Sequence, residues 1–156
     1  MGTEYERKFL VVGDGWREQA VKSEKIDQAY VAATPDLSIR VRITPARSSL
    51  TIKSRDAGAS RYELDLEIQP EDAARIAQSA YGIVNKTRHT LSCENAAWTI
   101  DVFTGPLEGL VLLEVESDGP VALSPLPSWV GQEVTSDSRY RNEWLATKRG
   151  KRDTNS

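Results

Sequence analysis

Acidic and basic side chains recur at every second position along several short stretches of this chain. Glu4, Glu6 and Lys8 alternate with Tyr5, Arg7 and Phe9, and Arg40 and Arg42 alternate with Ile39, Val41 and Ile43. Arg61, Glu63, Asp65 and Glu67 alternate with Tyr62, Leu64, Leu66 and Ile68. Glu114 and Glu116 alternate with Leu113 and Val115, Lys53 follows Ile52, and Lys86 and Arg88 stand two apart. Arginine forks and lysine ammonium groups grip phosphate oxygens, whereas clustered carboxylates hold a hard divalent cation. Basic residues alone would suggest plain anion binding, and carboxylates alone a calcium site. Both sets on alternating positions point to metal-dependent phosphoryl chemistry on a linear polyanion.

The scarce residues narrow the choice of metal. One histidine (His89) and one cysteine (Cys93) cannot build a tetrahedral zinc site of nitrogen and sulfur ligands, so a catalytic metal would sit on oxygen, which favours Mg2+, Mn2+ or Ca2+. The single cysteine also excludes an internal disulfide. With 20 Lys and Arg against 23 Asp and Glu the net charge is −3, and a pI of about 5.3 argues against a basic outer surface that coats nucleic acid. No apolar run approaches the roughly 18 residues of a membrane span, and the first six residues are acidic where a secretory leader would be basic. The expectation is a cytoplasmic protein with no membrane or nucleic-acid partner. At 156 residues the chain can bury a real core without staples, and one domain over residues 1–150 with a frayed tail at 151–156 is expected.

Alternating side chains need strands to sort them onto two faces. Eight segments fit: Glu4–Val12, Lys25–Ala32, Leu37–Thr44, Leu50–Arg55, Arg61–Gln69, Ile83–Cys93, Trp98–Phe103 and Leu110–Ser117. Short gaps rich in Pro, Gly, Asp and Asn separate most of them and favour antiparallel neighbours. A helix is predicted from Pro70, with Glu71 and Asp72 in its first turn and an apolar stripe of Ala73, Ile76, Ala77 and Ala80 before Gly82. A second is predicted from about Asp137 to Lys148, and a short turn of helix near Trp16. The expected fold is therefore mainly β (α+β): eight antiparallel strands with outer helices, and if the strands close into a barrel one face looks inward.

Alternation alone does not say which face looks inward. A small barrel filled with Ile39, Val41, Leu64, Leu66 and Val115 would leave the charges in water. A polar lumen would turn the charges in and leave the apolar face to be covered by helices, and the mixture of signs lets opposite charges pair when no ligand is bound. An outward apolar face larger than the helices can cover would favour a homodimer.

The segment Glu4-Tyr5-Glu6-Arg7-Lys8-Phe9-Leu10-Val11 resembles the ExExK signature of the CYTH family, the triphosphate tunnel metalloenzymes. Later blocks resemble the family in the same order: Gln28-Ala29-Tyr30, Ile39-Arg40-Val41-Arg42, Thr51-Ile52-Lys53, Arg61-Tyr62-Glu63-Leu64-Asp65, Lys86-Thr87-Arg88, Trp98 to Phe103, Leu113-Glu114-Val115-Glu116, and the closing stretch Glu133 to Asn142. The resemblance implies a closed, eight-stranded antiparallel tunnel with a charged interior, its last helix plugging one mouth, that binds a small-molecule triphosphate with Mg2+ or Mn2+. It implies that Lys8, Arg40, Arg42, Lys53, Lys86 and Arg88 bind phosphates, with Arg61 on the same face. Glu4, Glu6, Glu63, Glu114 and Glu116 would hold the metal. Tyr30 and Lys86 match a pair associated with triphosphate cleavage in short bacterial members. Asp65 stands where a glutamate is expected, and its shorter arm argues against direct ligation.

The implied reaction is hydrolysis of inorganic triphosphate to pyrophosphate and phosphate, with a metal ion or the Glu4 and Glu6 carboxylates activating water. Two kinds of rival stand beside it. One is an adenylate cyclase or a nucleoside or thiamine triphosphatase of the same fold. The other is a noncatalytic polyphosphate-binding module, which could dispense with the carboxylates that are present here. Arg7 and Arg47 read as plain surface charge, and His89, beside Arg88, turns to the opposite face.

Overall fold

Every alternating segment becomes a strand, because only an extended backbone sends consecutive side chains into two unlike environments. A computed structural model describes residues 2–55, 61–93, 96–120 and 125–148, with the side chains of 2–4, 55, 61 and 148 excepted. Among these, nine strands occur in the order β1 (Gly2–Val11), β2 (Ala20–Ala33), β3 (Leu37–Ile43), β4 (Ser48–Arg55), β5 (Arg61–Glu67), β6 (Gly82–Leu91), β7 (Ala97–Phe103), β8 (Val111–Ser117) and β9 (Val130–Glu133). Helix α1 (Pro70–Ala77) follows β5 and α2 (Asn142–Lys148) follows β9. The expected tail at 151–156 lies outside the described residues.

The strands form one antiparallel sheet in the order β5-β4-β3-β2-β6-β7-β8-β1-β9, and β1 also pairs with β5. This corrects the expected closed eight-stranded barrel in two respects. A ninth strand, β9, lies on the far side of β1. The return pairing joins Gly2, Thr3 and Glu4 to Glu63, Tyr62 and Arg61, three residue pairs in all. The sheet therefore curls until its edges meet at one corner, rather than being hydrogen-bonded along its whole length. β9 is short and carries no alternation, and it approaches β1 so closely that a Cβ at Gly131 would lie 3.0 Å from the Leu10 carbonyl oxygen.

The second predicted helix is divided. Asp137 accepts from the Arg139 backbone N–H and caps a 3-10 turn over Ser138–Tyr140, Arg141 is extended, and α2 starts only at Asn142.

Three apolar clusters hold the sheet. Ala73 of α1 covers Ala29 and Val41 on the outer face. Trp16 and Trp129 cover Phe9, Leu91, Ile100, Leu113 and Val115. The third cluster is inside: Tyr30, Val84, Phe103 and Leu112 pack against Leu145 and Ala146 of α2. Charge on the inner face thus gives way to apolar packing at one end, where α2 forms the stopper.

The stopper fits because β6 begins with a glycine. A Cβ at Gly82 would collide with the carbonyl oxygen of Ala146. A Gly82→Ala variant is expected to lose roughly 1–3 kcal/mol of stability through overpacking, read as a lowered melting temperature with earlier proteolysis at α2.

Candidate active site

Register decides which side chains meet. Glu6 lies opposite Glu116 and Lys8 opposite Glu114 across β1 and β8. Gln28 faces Arg42 and Tyr30 faces Arg40 across β2 and β3, Lys53 faces Glu63 across β4 and β5, and Arg88 faces Asp101 across β6 and β7. The charged positions of all these strands consequently share the concave face. Glu6, Lys8, Arg40, Arg42, Lys53, Glu63, Arg88, Glu114 and Glu116 line one cavity, together with Ser38, Arg141, and Asn142 and Glu143 from the start of α2. The polar-lumen arrangement is the one the chain adopts.

Lys8 and Arg40 are buried within it, at 7% and 6% exposure. Among the described residues Arg40 Nε is sealed from solvent without a hydrogen-bond partner. A buried N–H left unpaired on a cation is costly unless a ligand oxygen completes it. Other charges pair internally: Arg88 Nη2 lies 3.1 Å from Glu114 Oε2, and Lys53 Nζ 3.7 Å from Glu63 Oε2. Burial pushes the Glu114 carboxyl up and nearby Glu6 pushes it further, but Lys8, Arg88 and Lys86 outweigh both and hold it below the usual range.

Lys86 and Tyr30 lie deeper, each 1% exposed. Lys86 Nζ donates to Asp101 Oδ2 at 2.7 Å and to Asn142 Oδ1 at 3.5 Å, and lies 5.5 Å from the centre of the Phe103 ring. Burial brings its ammonium down to about 7, although Asp101 holds the proton on. Burial pushes the Tyr30 phenol up to about 12, so it stays protonated at neutral pH. The two are not hydrogen-bonded to each other. Tyr30 pairs with Gly82 and Lys86 with Ile26 along the β2–β6 ladder, and the Tyr30 hydroxyl instead accepts from Gln28. The side chains of Glu4 and Arg61 lie outside the described residues, though their backbones pair across β1 and β5.

Asp65 turns from the cavity's centre to Thr51 Oγ1 at 3.0 Å and Arg47 Nη1 at 2.7 Å. Burial raises its carboxyl, and Arg47 and Thr51 lower it by more. Arg47, read as surface charge, bridges Asp65 and Glu67 at a second opening that shares Arg40, Arg42 and Glu63 with the main cavity. His89 packs outside against Trp16, ring centres 4.9 Å apart.

Residue patterns missed several members of the site. Asp101, 1% exposed, joins Lys86 to Arg88 through contacts of 2.7 and 2.8 Å. It alternates with Ile100 and Val102, the signal that would have placed it. Arg141 and Glu143 belong to no strand and arrive only when the chain folds back.

A hard divalent cation suits these donors. Like charges directly opposite on paired strands repel, so Glu6 and Glu116 gain from a shared cation. Among the described residues no three His, Cys, Asp or Glu groups form a ready-made cage. A cation held by one or two carboxylates would draw its remaining oxygens from phosphate and water, the manner of Mg2+.

A sequence model described as the CYTH domain matches residues 2–141. A curated relative from Acetivibrio thermocellus, named inorganic triphosphatase, is 37% identical over 147 residues, spanning 93% of this chain and 94% of its own. Another inorganic triphosphatase, from Nitrosomonas europaea, is 34% identical over 92% of this chain and 97% of its own. The crystal structure of the inorganic triphosphatase NE1496 superposes with a TM-score of 0.65 at 30% identity, covering 95% of this chain and 97% of that one. No described helix is long and apolar enough to cross a membrane. The curled antiparallel sheet, the charged concave face and a family match over nearly the whole length agree: this chain belongs to the CYTH domain family.

Proposed function

We propose that the chain hydrolyses inorganic triphosphate to pyrophosphate and phosphate with Mg2+ or Mn2+. The observation that carries this reading is one cavity lined by Lys8, Arg40, Arg42, Lys53, Arg88 and Arg141 together with Glu6, Glu63, Glu114 and Glu116. The names of the two relatives above 30% identity support it. Lys8, Arg40, Arg42, Lys53 and Arg88 bind the phosphate oxygens and stabilise the charge that moves onto pyrophosphate as the bridging P–O bond breaks. Lys86 adds a cation beneath them and Tyr30 a protonated phenol. Arg61, on the same alternating face, belongs to the phosphate set. Glu6, Glu63, Glu114 and Glu116, with Glu4 one alternate position before Glu6, hold the cation. A bound cation supplies charge neutralisation and polarises the reacting phosphoryl group.

The test is purified protein with inorganic triphosphate, ATP or thiamine triphosphate, each with Mg2+, Mn2+ or EDTA. Phosphate release from inorganic triphosphate with either metal and none with EDTA is the expected result. Cyclic AMP formation without phosphate release, or binding without turnover of any substrate, would overturn the proposal. A Glu116→Gln variant should require several-fold more Mg2+ for half-maximal rate, because one of two facing oxygen donors loses its charge.

A further inference from the structure

Gln28 is wholly buried on the concave face, opposite Arg42 and two residues before Tyr30. Its Oε1 accepts from Arg42 Nε at 2.9 Å and from Nη2 at 2.5 Å, and its Nε2 donates to the Tyr30 hydroxyl at 3.1 Å. The amide cannot be reversed, because a guanidinium offers only donors and so requires the amide oxygen. The NH2 end must then face the tyrosine, whose oxygen receives that proton. Arg40 faces Tyr30 across β2 and β3, and its guanidinium lies close to the phenol. It too is a pure donor. Among the described residues no protein acceptor takes the proton of the Tyr30 hydroxyl. Arg40 and Arg42 favour negative charge at the phenol oxygen, the Glu143 carboxylate opposes it, and an amide donor holds that oxygen, so an oxygen anion held by Arg40 and Arg42 is the acceptor this arrangement suits.

We infer that Gln28 is a positioning residue: it fixes the Arg42 fork and turns the Tyr30 O–H outward, to donate to an oxygen of the phosphate chain held by Arg40 and Arg42. This rests on the proposed reaction. It adds that the hydrogen-bond polarity of the phenol is set by a neighbouring side chain.

Gln28→Glu separates this role from space-filling. The carboxylate still accepts from Arg42, but its second oxygen can only accept, so the Tyr30 proton is drawn towards residue 28. The expected result is kcat lower by on the order of 10²-fold, KM changed only a few-fold and an unchanged melting temperature. In a Tyr30→Phe background the same substitution should lower kcat no further, because residues acting as one unit are not additive. Gln28→Leu frees Arg42 and should weaken tripolyphosphate binding about tenfold by calorimetry, an energy typical of a charged hydrogen bond. Normal kcat in a stably folded Gln28→Glu variant, or full additivity with Tyr30→Phe, overturns the inference. A parent chain that turns over no triphosphate refutes the proposed reaction instead. The calorimetric comparison then still decides the hold on Arg42, and unchanged binding by Gln28→Leu overturns it.

Discussion

An Arg40→Ala variant is expected to hydrolyse inorganic triphosphate at least about 10²-fold more slowly in kcat/KM while melting at nearly the same temperature. The two halves have one cause. Arg40 is buried on the concave face and its Nε has no partner among the described residues; Arg42 and Arg88 repel it, while Tyr30 and Glu63 outweigh burial and that repulsion and keep its guanidinium charged. When no anion is bound, removing Arg40 relieves that repulsion and an unsatisfied donor but also gives up the attraction of Glu63 and the contact with Tyr30, so the two sides nearly cancel. When triphosphate is bound, the same removal takes a preorganised cation from charge that grows during the reaction. A residue kept for fold alone would behave in the opposite way, lowering stability with rate. Initial rates with saturating Mg2+ and a thermal melt without substrate check both halves. An active variant that melts lower would show Arg40 to be structural.

Much of this site was legible because the period of a strand is two. Once Glu6, Arg40, Lys53, Glu63, Arg88 and Glu114 are read as alternate positions along strands, one face must carry them all. What alternation cannot give is register. Nothing local tells Arg88 that it will face Asp101, or Gln28 that it will face Arg42. Those pairings depend on how β6 meets β7 and β2 meets β3. Register also keeps Tyr30 and Lys86 from pairing directly, since they occupy separate rungs of the β2–β6 ladder. β9 was invisible for another reason. Its four residues are defined by the backbone they approach, and Gly131 has no side chain to announce it. Arg141 and Glu143 were hidden because the segment that opens α2 reaches the cavity from outside the sheet, with Ala146 seated against Gly82.

The largest stability loss should come from Asp101→Ala, at about 3–5 kcal/mol, the usual result of removing one partner from a buried ionic cluster. Asp101 is 1% exposed and holds Lys86 at 2.7 Å and Arg88 at 2.8 Å. Arg88 keeps Glu114 after the change, whereas Lys86 keeps only Asn142, a neutral acceptor. Lys86 should answer by giving up its proton. Its ammonium is already brought down to about 7 by burial, with Asp101 the main influence opposing that fall. Without the carboxylate its folded value drops further below the unfolded one. This part of the penalty is the difference between the two folded values. It is therefore present in full below the variant's value, shrinks as pH rises towards about 7, and is absent above it. Denaturant melts of both proteins from pH 6 to 9 should show the gap narrowing with pH. Adding Lys86→Met should close part of it at pH 6, because an uncharged pair of similar volume removes the stranded ammonium. A gap independent of pH and untouched by the second substitution would mean that Asp101 acts through packing rather than charge.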